Sequence, residues 1–375
     1  MLRIDDALNP LDARVLDAPG GFAWWYVELL DETLSGLVLI AAWGLPFLPG
    51  YASAARRGVG QTPRSRPSLN LAVYEKGELT GYLLHEVEPR CASFSGEGSW
   101  TLGESSMRTV DADGRRHVEI DLDAPLVAHG GGRLRGTIRF AGPLVRRAAA
   151  GAGDLGGADN HAWTPLVAPC RGAAQLDLAG RPLVLSGDVY HDRNVSDRPL
   201  HDLGFGRWVW GHVALPDRHR IFYVLWPNAS PREAAAEVGG YEVTAAGELR
   251  AVDGLQAEFH GGGSTFFGMP AWRGITLHAP GEDRPWFEAP LTTRVDDGFF
   301  YLRYLFEAKA SGRRAPGSLE VIDPDRVDLG RHRRFVRMRV SSDLGPPSPW
   351  LPLFTGDLRG KWARLGRGLL GGPGR

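Results

Sequence analysis

Cysteine is scarce in this sequence: Cys91 and Cys170 are the only two in 375 residues. Two thiols cannot build a disulfide framework, so a reducing compartment is the simpler expectation. Lysine is scarcer than its class, with Lys76, Lys309 and Lys361 the only three, and arginine takes its place. The 43 basic residues balance 44 acidic ones for a net charge of −1. No global field therefore draws nucleic acid to the chain, and none is expected as a partner. The longest apolar run, Leu37 to Leu48, is broken by Gly44 and Pro46. It falls short of the roughly 20 residues of a membrane-spanning helix. Asp5, Asp6 and Asp12 stand where a secretory leader would be apolar, so no leader is expected. P-loop, His-Glu-x-x-His, Cys-x-x-Cys and Gly-x-Ser-x-Gly motifs are all missing. His191 and His201 with Asp192 and Asp202 lack the spacing of metal ligands, and no metal or cofactor is expected.

What the chain has instead is turn formers and aromatics. It contains 50 glycines and 27 prolines, with 43% hydrophobic residues and 12 Trp, 9 Tyr and 15 Phe. Frequent breaks argue against a helical bundle, and the apolar content supports a real core, so an all-β protein is expected. Strand-like segments recur between Gly, Pro, Asp and Ser: Trp24 to Leu30, Gly36 to Trp43, Leu69 to Tyr74 and Leu79 to Val87. His117 to Leu122 and Gly132 to Phe140 alternate apolar with polar residues, the period of a half-buried sheet. Ala141 to Gly157 reads as a surface loop, and Ala173 to Leu178 with Leu183 to Asp188 reads as a hairpin. A second strand set begins near Gly206, and Pro231 to Glu237 is the one helical hint before residue 300. The expected division is an N-terminal β domain over residues 1–203, a C-terminal β domain over 204–350 and a basic tail over 351–375. The tail places Trp362 and several leucines among arginines, a composition that suits an anionic membrane surface as well as a solvated terminus.

Two patches concentrate polar chemistry. One is Asn160-His161-Ala162-Trp163-Thr164-Pro165, the other Gly187-Asp188-Val189-Tyr190-His191-Asp192-Arg193-Asn194. In an extended strand, residues two apart share a face. His161 therefore points with Trp163, and Tyr190 with Asp192. Facing strands can bring both pairs into one pocket. The same spacing also fits an ordinary packed core face, and Asp192 before Arg193-Asn194 also fits a turn.

The sequence resembles the carotenoid 1,2-hydratase (hydroxyneurosporene synthase) family. The resemblance is carried by Gly21-Phe22-Ala23-Trp24-Trp25-Tyr26, by Leu39 through Tyr51, by Leu69-Asn70-Leu71-Ala72-Val73-Tyr74, by His161-x-Trp163-x-Pro165 and by Tyr190-x-Asp192-x-Asn194 followed by Pro199-Leu200. It extends from about residue 20 to the segment Phe299 to Val340. It implies two lipocalin-like antiparallel β-barrel or sandwich domains. It also implies that His161, Trp163, Tyr190 and Asp192 are the active-site residues, with Trp24, Trp25, Tyr26, Asn70, Tyr74 and Asn194 binding substrate. His191 and Arg193 depart from the family pattern and are expected to point away from the pocket.

The implied reaction adds water to the terminal C1–C2 double bond of an acyclic carotenoid of the lycopene or neurosporene type. An isolated alkene is a poor base, so hydration needs an acid. Asp192 is expected to protonate C2, with its pKa raised by burial in an apolar barrel. Tyr190 would orient the carboxyl, Trp163 with Trp24 or Trp25 would face the cation, and His161 would position the water. A proton-initiated terpenoid cyclase and a non-catalytic carrier of apolar ligands fit the same residues. The expected partners are an apolar carotenoid or terpenoid and water. The expected location is cytoplasmic, with peripheral contact at the cytoplasmic face of the inner membrane through the tail or the rim Trp43 to Tyr51.

Overall fold

The structure is a computed structural model and describes residues 2–95, 98–126, 132–148, 161–228, 236–310, 312–349 and 351. Alternating sequence becomes alternating burial. In Arg115–Leu126, the side chains of Val118, Ile120, Leu122, Ala124 and Leu126 are buried while their neighbours are mostly more open. Tight turns join such strands where the backbone must turn left-handed: Lys76-Gly77, Asp113-Gly114 and Ala179-Gly180 all have positive φ. That is the geometry of two-residue hairpin loops, whose twist matches the flanking strands.

Two large, mainly antiparallel sheets result. The first has 13 strands and takes the chain from Leu2 to Ser196. Its centre is Arg181–Ser196, paired on one side with His161–Leu178 and on the other with Phe22–Leu30. The second has 11 strands and runs from Phe205–Leu215 to Arg313–Ile322. Each sheet borrows one short edge strand. Ser341–Ser342 pairs with Glu78–Glu86 of the first sheet, and Arg146–Arg147 pairs with Glu248–Val252 of the second.

Period two also divides the second sheet between two cores. Trp208, Trp210, Ile221 and Tyr223 pack with the first sheet, whereas Val209, Val213, Phe222 and Val224 belong to a separate core. The joint between the sheets is thus itself a buried, aromatic layer.

Several local expectations change. Ala141 to Pro143 continue the strand Gly132–Pro143, so that end of the expected loop is ladder; its positions 149–157 lie outside the described residues. In the helical hint, positions 231–235 also lie outside, and Glu237 opens the strand Glu237–Thr244. Two short helices, Tyr51–Arg56 and Arg333–Arg337, appear instead. The basic tail, apart from Leu351, lies outside the described residues. The rim Trp43 to Tyr51 turns inward: Trp43, Leu45 and Tyr51 are buried, and the Tyr51 hydroxyl donates to the Gly21 carbonyl at 2.7 Å. Phe47, Leu48 and Gly50 of the same segment stay half-buried. Among the described residues, no helix is long and apolar enough to cross a membrane.

Candidate active site

Asp192 sits in the C-terminal half of the central strand and is 2% exposed. Its cross-strand partners are Pro165 on one side and Tyr26 on the other. Because side chains alternate, Tyr190, Asp192 and Asn194 share one face, as do His161 and Trp163 on the neighbouring strand. Trp24, Tyr26 and Glu28 continue that face on the third strand, opposite Asn194, Asp192 and Tyr190 respectively.

Three neutral donors converge on the Asp192 carboxyl. Tyr190 donates its hydroxyl to Oδ2 at 2.8 Å, Trp163 Nε1 donates to the same oxygen at 2.9 Å, and Asn194 Nδ2 donates to Oδ1 at 3.0 Å. Trp163 Nε1 also lies 3.1 Å from the Tyr190 hydroxyl, which closes a triangle. Burial pushes the Asp192 pKa up to about 7. The donors from Tyr190 and Trp163 partly oppose that rise, and the nearby Glu320 carboxylate adds to it. The group is therefore divided between acid and carboxylate near neutrality, the condition in which a proton can be given and recovered.

His161 completes the line. Its Nε2 is 2.8 Å from Asn194 Oδ1, and Asn194 donates its amide hydrogen the other way, to Asp192. Nε2 is thus the protonated nitrogen, and Nδ1 is a buried lone pair with no hydrogen-bond partner among the described residues. Burial lowers the His161 pKa to about 4, so the ring is neutral at physiological pH.

The carboxyl opens on a cavity between the two sheets whose empty space, including its mouth, is about 1510 Å³. His161, Asp192 and Asn194 give it polar lining, as do Arg303 and Glu320, and Leu45 to Leu48 with Phe300 and Val336 contribute apolar wall. Trp24, Tyr26, Asn70 and Tyr74 also line it. Asn70 donates one amide hydrogen to the Leu83 carbonyl at 3.1 Å, which fixes its side chain in the wall.

Three assignments change on this geometry. Trp25 faces the other side of its strand and packs on Trp43 and Phe94 at 5.4 and 5.2 Å, because alternate strand side chains diverge; it is not a pocket residue. Trp163 does not present its ring face to the cavity. Tyr223 and Tyr241 pack against that ring at 5.3 and 5.2 Å, so its contribution is the N–H it gives Asp192. The pocket itself lies at the joint of two sheets, where a single barrel interior was expected. His191 and Arg193 point away from it: His191 Nδ1 contacts the Tyr26 carbonyl at 2.7 Å, and Arg193 donates to the Asn9 carbonyl at 2.9 Å.

Sequence reasoning missed the second sheet's share. Trp208, Trp210, Tyr223, Arg303 and Glu320 all line the cavity. Trp210 packs edge-on against Tyr26 at 5.3 Å and tilted against Tyr190 at 5.4 Å. Behind them lies a buried ionic cluster. Glu28 accepts from Tyr26 at 2.6 Å, from Arg303 at 2.9 Å and from Ser318 at 2.9 Å, and His212 Nε2 lies 3.0 Å away. Arg303 also pairs with Glu320, and His212 contacts His219 at 2.7 Å. No local spacing links Glu28 to residues 212, 303 and 318, so only an alignment of relatives could have signalled them. Among the described residues no group of three or more metal-ligating side chains could hold an ion.

The family model for the carotenoid hydratase CrtC matches residues 39–343. The acyclic carotenoid 1,2-hydratase of Thiocapsa roseopersicina is 32% identical over 221 residues, covering 58% of this chain and 51% of that protein. The namesake of Rubrivivax gelatinosus is 30% identical over 207 residues, covering 53% and 46%. The chain thus spans about half the length of these curated relatives. A hydroxyneurosporene dehydrogenase of Chlorobaculum tepidum is 25% identical and covers 77% of this chain and 78% of that one. Among solved structures, an AttH-designated protein of Nitrosomonas europaea superposes with a TM-score of 0.56 at 13% identity, covering 81% and 92% of the two chains. CghA superposes with a TM-score of 0.52 at 12% identity, covering 81% and 88%. At these identities the solved structures speak for the fold, which is lipocalin-like and all-β. With the family model spanning most of its length, this chain belongs to the carotenoid hydratase CrtC family.

Proposed function

We propose that this chain hydrates the terminal C1–C2 double bond of an acyclic carotenoid of the lycopene or neurosporene type, with Asp192 as the proton donor. The observation that carries the reading is the buried Asp192 carboxyl, touched by three neutral donors and opening on an aromatic cavity. The names of the two hydratase relatives support the same chemistry.

Protonated Asp192 gives its hydrogen to C2, and the π electrons form the new C–H bond. C1 becomes a tertiary cation. The donors from Tyr190, Trp163 and Asn194 are already aimed at the carboxylate that this step leaves, so no reorganisation is needed to stabilise it. The rings of Tyr26 and Trp210 stand beside the forming charge, and a dry cation–π contact contributes about 2 kcal/mol. Water bonds to C1 through an oxygen lone pair. The resulting oxonium loses a proton to the free Nδ1 of His161, whose depressed pKa returns that proton to water readily. Asp192 is then reprotonated, and the sum is addition of one water to one alkene. No step calls for a cofactor or a metal.

Turnover in ¹⁸O-labelled water tests the reading. Incubation with lycopene or neurosporene is expected to give a tertiary alcohol that carries the label. A cyclised product without oxygen would make the protein a cyclase, and tight binding without turnover would make it a carrier. Either result overturns hydration.

A further inference from the structure

Phe266 and Phe335 are 83% and 43% exposed, and they are the only exposed Phe, Tyr or Trp side chains among the described residues. They lie far apart in sequence yet end in one ring cluster. Phe266 packs on Phe267 at 5.3 Å, Phe267 on Phe299 at 4.2 Å, and Phe299 stacks on Phe335 at 5.4 Å. Arg326 ties the backbone of this face together by donating to the carbonyls of Phe299 and Phe267. Exposed apolar surface that is held in place in this way marks a contact site.

Two features identify what the face contacts. The first is charge. The segment 329–342 contains Arg331, Arg333, Arg334, Arg337 and Arg339 and no acidic residue. Arg339 is turned inward to Asp296, and Arg333 reaches Asp328 at 3.4 Å. Arg337 meets only a backbone carbonyl, that of Pro49, and Arg331 and Arg334 enter no ion pair among the described residues. Exposed cations around exposed rings suit a negatively charged, apolar partner. The second feature is position. Phe300, next to Phe299, lies in the cavity wall and stacks on Phe47 at 5.6 Å. Val336, next to Phe335, lies in the same wall. From Phe47 the rings continue to Trp24 at 6.0 Å and from Trp24 to His161 at 6.0 Å. The exposed face is therefore one residue along the chain, at two separate points, from side chains that line the cavity, Phe300 and Val336.

We propose that this face, Phe266 and Phe335 framed by Arg331, Arg334 and Arg337, seats on the surface of an anionic lipid bilayer and admits the substrate directly from it. The substrate half of the statement rests on the carotenoid reading above; the docking half does not. Aromatic side chains anchor at the lipid interface, and basic side chains near an anionic leaflet each add binding that salt weakens. A substrate insoluble in water need then never leave an apolar environment.

Flotation of the full chain with lipid vesicles, without substrate, is the test. The wild type is expected to float with phosphatidylcholine vesicles that contain phosphatidylglycerol, less with phosphatidylcholine alone, and less in high salt. Phe266→Ser with Phe335→Ser, and separately Arg331→Glu with Arg334→Glu, are each expected to weaken flotation at least about tenfold. Both double variants should hydrate detergent-dispersed carotenoid at the wild-type rate and lose turnover of carotenoid embedded in vesicles. Flotation equal to wild type in both variants, or none for the wild type, overturns the proposal. So does a change of oligomeric state in the variants without any vesicle binding, which would make the face a contact between copies. If the wild type floats as expected but neither form of carotenoid is hydrated, the docking face stands and the proposed reaction falls.

Discussion

Glu28 and Asp192 are carboxylates on neighbouring strands of one sheet, on the same face and each 2% exposed. Burial alone would raise both pKa values. At Glu28 that rise is overcome by the adjacent His212 ring, the Arg303 guanidinium and the Tyr26 hydroxyl, which bring it down to about 2. At Asp192 no cation touches the carboxyl, and its three neutral donors leave it at about 7. For this pair the charge of the partners, and not depth, makes the difference; at Glu320, also paired with Arg303, burial still raises the pKa. Glu28 is a permanent anion that joins the first sheet to Arg303, His212 and Ser318 of the second. Asp192 is left free to exchange a proton.

The sharpest way to break the comparison is to remove each carboxylate in turn. Asp192→Asn should lower hydration by about a thousandfold, in the range that general acids supply. Its unfolding midpoint should stay near wild type, as product analysis and urea denaturation would together show. Glu28→Gln should do the opposite. It takes from Arg303 one of its two buried carboxylate partners, leaving Glu320, and should cost about 3–5 kcal/mol of stability in the same denaturation assay. A stable Glu28→Gln protein with normal turnover would end the contrast.

Two smaller changes move Asp192 in opposite directions. Trp163→Phe keeps the ring and removes one donor from the carboxylate. It should raise the pH at which activity falls and slow hydration about tenfold, the worth of one hydrogen bond to a charged group. Glu320→Gln removes a neighbouring negative charge and frees Arg303, and both changes favour the Asp192 carboxylate. The descending limb of the pH–rate profile should then move to lower pH, by less than about one unit. A purely structural role for Glu320 would scale the rate at every pH and leave the limb in place.

The two carboxylates also bend stability against pH with opposite signs. Asp192 has a raised folded-state pKa. Its neutral form is at no disadvantage at low pH, and its contribution is lost as pH climbs from about 4, the unfolded value, through about 7. Glu28 has a lowered one. Its contribution is complete above the unfolded value of about 4.3 and is lost as pH falls through about 2.

Much of this was legible in the residues. Spacing by two put Tyr190, Asp192 and Asn194 on one face and His161 beside Trp163, and alternation marked most strands. Gly36 to Trp43 matches its strand end to end. What failed did so for physical reasons. Trp24 and Trp25 are adjacent and identical, so composition could not say which faces the pocket; strand pairing decides it for Trp24. Trp163 looked like a ring for a cation, but only tertiary packing shows that Tyr223 and Tyr241 cover it. The strands Ser105–Ala112 and Arg313–Ile322 were missed because charged and glycine positions blur their alternation. Glu28 and its partners are joined only by the docking of two sheets, which no local pattern encodes.

Asp192 exchanges its proton near neutrality while its equally buried neighbour Glu28 stays ionised. Titration of the aspartate side-chain carbons by ¹³C NMR, with Asp192→Asn as the subtraction control, measures it directly. The account predicts a carboxyl resonance with a midpoint near pH 7 that vanishes in the variant. An Asp192 midpoint at or below about 4, the value of an exposed aspartate, would contradict it.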